Sequence, residues 1–322
     1  MPESGHDHGL RTPEKRRRRH QADKVFFTTT LITPVIVALM VLLVIPFTLG
    51  FSISFRSQSI YDMSGRFVGL QNYLQVLGSH RFWRVLLTTS SFTVLSVFLS
   101  TVIGFIAALS LNRKVPLKGA FRAINIIPWA APPAVISITW TQILSKAYSP
   151  LNDIMMRLGV IKTQIDWLGY TGSGYSPFNL PLICLIVVYS WTCYPFVMLM
   201  LLAGLQSIPD ELYEAATVDG AAEIQKLSYI TLPALKPFLV IVATLLFIWT
   251  FQYFNLNYML THGGPRGYTE VLSIFIYDTA FEKFNFGRAS ATGIIMSLIL
   301  LVPSYYYIQT AFRQSRQKRG GA

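Results

Sequence analysis

The chain has 322 residues, of which 52% are hydrophobic and 14% aromatic, while only 13% are charged. A water-soluble domain of this size carries about 25% charged residues, so a soluble enzyme or binding module is excluded, and the mean hydropathy of +0.45 points to lipid. The net charge of +12 would suit nucleic acid, but the basic residues flank apolar blocks, where they set membrane topology; no nucleic-acid partner is expected.

The apolar residues gather into six blocks, at about 26–55, 85–111, 123–145, 179–203, 238–260 and 289–311, and none contains Asp, Glu, Lys, Arg or His. Each reaches the roughly 20 residues that a helix needs to cross about 30 Å of hydrocarbon. The expected fold class is all-α, a polytopic membrane protein with six transmembrane helices.

Taken in order, residues 1–24 read as a disordered basic tail holding "HDH" and "EKRRRRH". Its histidines fit a polar tail better than a metal site. The polar start, and an apolar block that is long and lacks a small-residue cleavage site, argue against a removed signal peptide. The region 25–84 supplies the first span and an outer segment, in which Leu70, Tyr73, Leu74 and Leu77 recur at the spacing of a short helix lying along the membrane surface. A basic hairpin, "NRKVPLKGAFR", leads into a third span that Pro128, Pro132 and Pro133 should kink or break. The segment 146–178 reads as the longest irregular loop and includes "GYTGSGYSP". Cys184 and Cys193 fall on different helix faces, so neither a disulfide nor a metal site follows. Residues 261–288 form another outer loop, and 312–322 a second tail.

With six spans both termini share a side. Placing them in the cytoplasm puts 17 of the 27 lysines and arginines there, in keeping with the retention of basic residues on that face.

The segment 207–237 breaks the apolar pattern. Asp210, Glu211, Glu214, Asp219 and Glu223 would each cost about 2.5–3.5 kcal/mol at mid-membrane, so this stretch is expected in water on the cytoplasmic side. Ser207 is a candidate cap for a helix whose first turn holds Pro209, Asp210 and Glu211. Gly220 should end that helix, and a second one should run to Leu232 before Pro233 stops it. Ala215, Ala216, Gly220, Ala221 and Ala222 leave a smooth surface that another protein can approach closely, with Glu214 and Asp219 adding negative charge beside it.

No GxxxxGK[ST] loop is present, nor any Gly-Lys dipeptide, so the chain is not expected to cradle ATP by such a loop. The spans hold no ionisable relay of the kind used by ion-coupled carriers, and no carboxylate pair, His–Ser pair or metal-ligand set for a membrane-embedded enzyme. The expectation is a non-enzymatic conduit, without cofactor, driven by a partner.

The stretch "EAATVDGAAEIQKLSYITLP" is similar to the EAA loop of bacterial ABC importer permeases, whose pattern is E-A-A, a Gly four residues on, then I-x-L-P. Glu214, Ala215, Ala216, Gly220, Ile230, Leu232 and Pro233 match it, and Asp219 fits the sugar-importer version. "WTCYPFVMLMLLAGLQSIPDELYEAA" before the loop, and "LTHGGP" and "FGRASA" after it, resemble the maltose and glycerol-phosphate branch; the likeness is strongest over about 185–291.

The resemblance implies an ABC type-1 (MetI-like) permease fold, with residues 85–311 as its transmembrane domain. Its loop would be a coupling helix seated in a cleft of a cytoplasmic ATPase, with Glu214 facing a basic group and Gly220 setting the turn. Implied partners are a second permease subunit, two ABC ATPase subunits and an extracytoplasmic solute-binding protein docked on 146–178 and 261–288. The implied solute is a mono- or oligosaccharide, a glycerol phosphate being the nearest alternative; the latter would require cationic groups that the spans lack.

For the solute path, Trp249, Thr250, Tyr253 and Asn257 have spacings that place them on one face if the fifth span is a continuous helix. The fourth span offers Tyr194, Pro195 and Phe196. Aligning the W-x-x-x-P-F and GGP anchors with maltose-type permeases implies that Cys193, Phe196, Trp249, Thr250 and Tyr253 lie at or near the family's substrate-contact positions. Aromatics in spans also serve as interfacial belts, and the Ser/Thr run at 88–101 reads as helix-packing glue.

Overall fold

The computed structural model describes residue 27 and residues 29–113, 116–169, 176 and 178–320, the side chains of 310–320 excepted. The tail 1–24 and all of "GYTGSGYSP" but Gly169 and Ser176 lie outside the described residues. Everything described is helix or connection; pairing of strand type is limited to isolated bridges such as Arg56 with Phe67.

The chain divides into Met1–Ile53 and Ser54–Ala322. The first unit is carried by α1 (Thr29–Ser54), long enough to span, with no buried residue in its apolar window. A π turn at Met40–Val44 precedes Pro46, where the wider turn leaves room for a residue that has no N–H to donate.

The second unit begins with α2 (Gln71–Leu77), which buries Asn72 and Val76 and leaves Leu70, Leu74 and Leu77 exposed. Next come α3 (His80–Asn112), α4 (Lys118–Ala130), α5 (Pro133–Ile143), α6 (Pro150–Arg157) and α7 (Leu180–Leu205). The helix α8 (Asp210–Val218) opens the acidic loop and α9 (Glu223–Phe251) closes it. Beyond them lie α10 (Asn255–Thr261), α11 (Leu272–Tyr277) and α12 (Phe286–Gly320), the last running through what the sequence suggested to be a tail. Among the described residues five helices are long and apolar enough to cross, or six if the bent pair α4 and α5 is counted as one broken span.

The centre of this unit is the pair α3 and α7. In lipid the apolar tails offer helices no solvophobic reward for associating, so packing must come from close contact. The buried residues of α3 accordingly include many small ones, Thr88, Thr89, Thr93, Ser96, Ser100, Gly104 and Ala108, beside the larger Phe82, Val85, Phe92 and Leu111. A Cβ at Gly104 would sit 2.5 Å from Cβ of Val197, so only glycine fits there. The Ser/Thr run thus packs helices as expected, and Thr89 also accepts a hydrogen bond from the Leu272 amide at 2.9 Å.

The proline break in the third span forms as the sequence suggests. Pro132 caps and Pro133 begins α5, which leaves α4 at 91°. The region 146–178 is less irregular than expected: Ser149 caps α6 by accepting from the Asn152 amide at 3.0 Å. Asn152 then ties the following turn down, bonding Ile165 and the Trp167 indole N–H. At the end of the bundle remote from the acidic loop, Arg81 grips Glu270 with two hydrogen bonds of 2.6 and 3.0 Å and reaches Asp278 at 3.4 Å. Burial, together with the carboxylates of Glu282 and Glu270, pushes the Asp278 carboxyl above its usual range, against the pull of Arg81.

Candidate functional site

The acidic loop folds as two helices around a glycine turn. Its entry differs from the sequence expectation: the Ser207 hydroxyl donates back to Gly204 O at 2.7 Å, and Pro209 takes the cap position of α8. A serine engaged with the helix behind it is not available to the one ahead. Asp210 and Glu211 do occupy the first turn of α8, where the helix dipole favours them. Gly220 ends α8 with φ of +77° and with open space around its α-carbon, so its requirement is conformational and not steric. The Asp219 and Ala221 amides close the turn on Ala215 O and Ala216 O at 3.0 and 2.9 Å.

Pro233 does not stop the second helix. A π turn at Leu227–Thr231 joins Glu223–Lys226 to Leu232–Phe251, making α9 one helix of 29 residues. Proline breaks a helix through its missing N–H and a clash with the carbonyl four residues back; the wider turn just ahead relaxes both. Side chains bond carbonyls ahead of the turn, Ser228 to Gln225 O at 3.2 Å and Thr231 to Lys226 O at 3.3 Å. The Tyr213 and Thr231 hydroxyls, 3.0 Å apart, link α8 to α9.

Glu214, Ala215, Asp219, Gly220, Leu232 and Pro233 are exposed and Ala216 is half-buried. Sequence reasoning missed the large apolar side chains beside them: Val218 is 87% exposed, Tyr229 80% and Ile224 71%. Apolar side chains this exposed within a segment rich in carboxylates mark a candidate surface for a partner, and their presence in an acidic stretch was the available signal. Behind the loop, a cavity of about 440 Å³ lies between it and the end of α3, lined by Asn112, Arg113, Asp210, Tyr213 and Glu223 among others.

The residues expected along the solute path fall into two groups, and the fifth span does not continue as one helix. It ends at Phe251 and restarts as α10 at Asn255. The Tyr253 amide turns back to Thr250 O at 3.1 Å, and the Ser273 hydroxyl holds the Tyr253 carbonyl at 2.8 Å. Trp249 and Thr250 are therefore separated by a break from Tyr253 and Asn257, and the single helix face expected from their spacing does not exist.

One group is an accessible aromatic ladder. Phe196 on α7 lies 4.9 Å from Trp249 on α9 and 6.0 Å from Trp129 on α4, centroid to centroid. Trp129 and Trp249 are 46% and 41% exposed. Trp129 was not singled out from the sequence, where it reads as one more aromatic in a span. Tyr194, on the same helix as Phe196, donates to Asn125 Oδ1 on α4 at 3.0 Å, fixing α4 against α7.

The other group is buried around Tyr189. Its ring packs edge-on against Tyr253 at 4.8 Å and Phe92 at 5.3 Å, and its hydroxyl lies 2.9 Å from Thr250 Oγ1, which is itself held by Leu246 O at 2.6 Å. Cys193 is a free, half-buried thiol packed against this cluster. Asn257 is fully buried.

Residues 100–318 match the family described as the binding-protein-dependent transport system inner membrane component. The chain belongs to that family. The trehalose/maltose transport system permease protein MalF of Thermococcus litoralis is 36% identical over 282 residues, covering 87% of this chain and 91% of that one. The sulfoquinovosyl glycerol transport system permease protein SmoG of Agrobacterium fabrum is 30% identical, covering 87% and 88% respectively. A crystal structure of a bacterial ABC transporter involved in the import of the acidic polysaccharide alginate shares the fold, with a TM-score of 0.76 at 21% identity over 92% of this chain and 99% of that one. The permease is thus an inner-membrane transport component and not itself an enzyme, with the expected MetI-like architecture.

Proposed function

We propose that this permease is one of two membrane subunits of an ATP-driven importer that carries a mono- or oligosaccharide by alternating access. The relatives with sugar-transport names support the solute class. So does the path itself: Trp129, Phe196 and Trp249 offer ring faces, Tyr194 and Tyr253 offer hydroxyls, and none bears a charge that a glycerol phosphate would require.

The observation that carries the proposal is the continuity of α9. Twenty-nine residues at about 1.5 Å each make a rod of roughly 43 Å, with Glu223 of the acidic loop at one end and Trp249 and Thr250 near the other. A helix hydrogen-bonded along its length transmits a push at one end to the other. One of two ABC ATPase subunits would grasp the acidic loop in the cytoplasm through Glu214, Ala215, Ala216, Asp219 and Gly220, with Leu232 and Pro233 at the root of the rod. Their closure on ATP would move α9 and re-pack the ladder. A solute-binding protein would deliver sugar at the opposite end, over 146–178 and 261–288, with both termini of the permease in the cytoplasm.

The test is solute-stimulated ATPase of the assembled transporter after Trp249→Ala and, separately, Tyr253→Ala. Losing one aromatic contact with a sugar ring is expected to reduce stimulation about tenfold. Unchanged stimulation in both would remove the path.

A further inference from the structure

At the end of the bundle remote from the acidic loop, a cavity of about 390 Å³ lies between α2 and the start of α12. Gln75, Ser79, Arg81, Lys283, Asn285 and Arg288 supply most of its polar lining, and no carboxylate among the described residues lines it. The frame around it is fixed. Asn72 of α2 donates to Ser54 O and Arg56 O at 2.8 and 2.9 Å. The Gly287 amide donates to Gln58 O at 3.2 Å, and a Cβ at Gly287 would collide with Arg56 O. The Lys283 amide is held by Asp278 O at 2.9 Å.

The chemistry of the cavity follows from which polar atoms are already engaged. Arg288 Nε donates to Gln75 Oε1 at 2.7 Å, and the Arg288 amide donates to Asn285 Oδ1 at 3.0 Å. Both carboxamide oxygens have thus met donors. What remains are the amide NH₂ groups of Gln75 and Asn285, the terminal nitrogens of Arg288 and the Lys283 ammonium, all of them donors. Arg81 is matched by Glu270 and Asp278. Asp278 lies near enough to Lys283 to feel its charge, yet among the described residues neither Lys283 nor Arg288 forms an ion pair. A concave set of donors with two unmatched cations suits an anion that carries several acceptor oxygens, and phosphate is the one that Arg and Lys bind best together.

The surroundings say where that phosphate comes from. Leu70, Leu74 and Leu77, on and beside α2, are 61%, 70% and 41% exposed, and Trp83 in the first turn of α3 is 54% exposed. In a chain that crosses a membrane, exposed leucines beside an indole belong at the boundary of hydrocarbon and headgroups. Gln75 and Val76, on the same short helix, turn into the cavity. The donors therefore sit at the depth of the lipid phosphates.

We propose that this cavity is a binding site for an anionic phospholipid, whose phosphate meets Lys283 and Arg288 while its acyl chains follow the exposed leucines. A lipid held there bridges α2 and α12 and fastens the outer segment to the last span. The inference rests on the membrane setting of the family and not on which solute is carried.

The test uses the assembled transporter, stripped of lipid in detergent and then given phosphatidylglycerol, with native mass spectrometry counting the lipids retained. Lys283→Glu combined with Arg288→Gln should lose one lipid per copy of this chain and weaken its binding about tenfold or more, as expected for lost hydrogen bonds to charged groups. Lys283→Arg, which keeps the charge, should keep the lipid. Arg66→Gln, at an exposed cation outside the cavity, should leave the count unchanged. The inference falls if the double variant retains the full count, or if Arg66→Gln loses as many lipids, which would mean unspecific attraction. It falls if inorganic phosphate raises the melting temperature as far as phosphatidylglycerol at equal concentration, which would mark a site for free anions. It falls also if the lipid count holds while affinity for the solute-binding protein drops, which would make the cavity a protein-docking surface. Should the double variant fail to assemble, Lys283→Gln, at a side chain with no hydrogen bond among the described residues, is read by the same lipid count.

Discussion

At one end α9 runs through Pro233 and Pro237 without interruption; at the other it stops at Phe251, although no proline or glycine lies between Trp249 and Tyr258. The loop end is kept helical by a π turn and by side chains that bond the carbonyls ahead of it. The far end is broken by a partner from elsewhere, Ser273 holding the Tyr253 carbonyl, with Tyr253 itself packed on Tyr189. A helix ends where its backbone groups find other partners, and only sometimes where a poor helix former stands. The outcome is a rod stiff where force would enter and hinged where the solute would pass.

The largest effect that would break this contrast is expected at the loop. Glu214→Arg reverses an exposed charge on the proposed ATPase-facing surface, and misplacing a charge at a docked interface costs several kcal/mol. Uptake should fall on the order of a hundredfold while the chain still inserts at normal abundance; normal uptake would show that the rod is not driven from there. A smaller effect is expected at the hinge. Ser273→Ala removes one hydrogen bond, worth about 1 kcal/mol, and lets α9 extend toward α10. Transport should drop several-fold, with slower hydrogen exchange at 252–254 as the amides there become helical. The smallest is at the root. Pro233→Ala should change melting by no more than about 0.5 kcal/mol, because the π turn has already absorbed the proline; a large change would mean that the proline itself shapes the root.

How much was legible in the sequence follows the same line. The third-span break was readable because Pro132 and Pro133 create it locally. The loop's glycine turn was readable because only Gly220 tolerates a φ of +77° cheaply. The fifth-span break was not, since its cause lies on residue 273, twenty positions along the chain. Ser207 and Pro233 misled for a related reason: each has a strong local preference that its surroundings override, Ser207 by bonding Gly204 O and Pro233 by following a π turn. Glu214, Ala215 and Gly220 stood out by pattern, whereas Val218, Ile224 and Tyr229 did not, because apolar residues in a membrane protein invite no notice until they are found uncovered. Trp129 became a candidate only once α4 brought it to Phe196.

The central claim is that force enters at the acidic loop. A photoactivatable cross-linker placed on Val218→Cys, whose native side chain is 87% exposed, tests it most directly in the assembled, membrane-embedded transporter. The account predicts a cross-link to an ATPase subunit whose yield changes with ATP. A cross-linker that captures only lipid or water in every nucleotide state, or this chain alone accumulating solute uphill in vesicles, would contradict it.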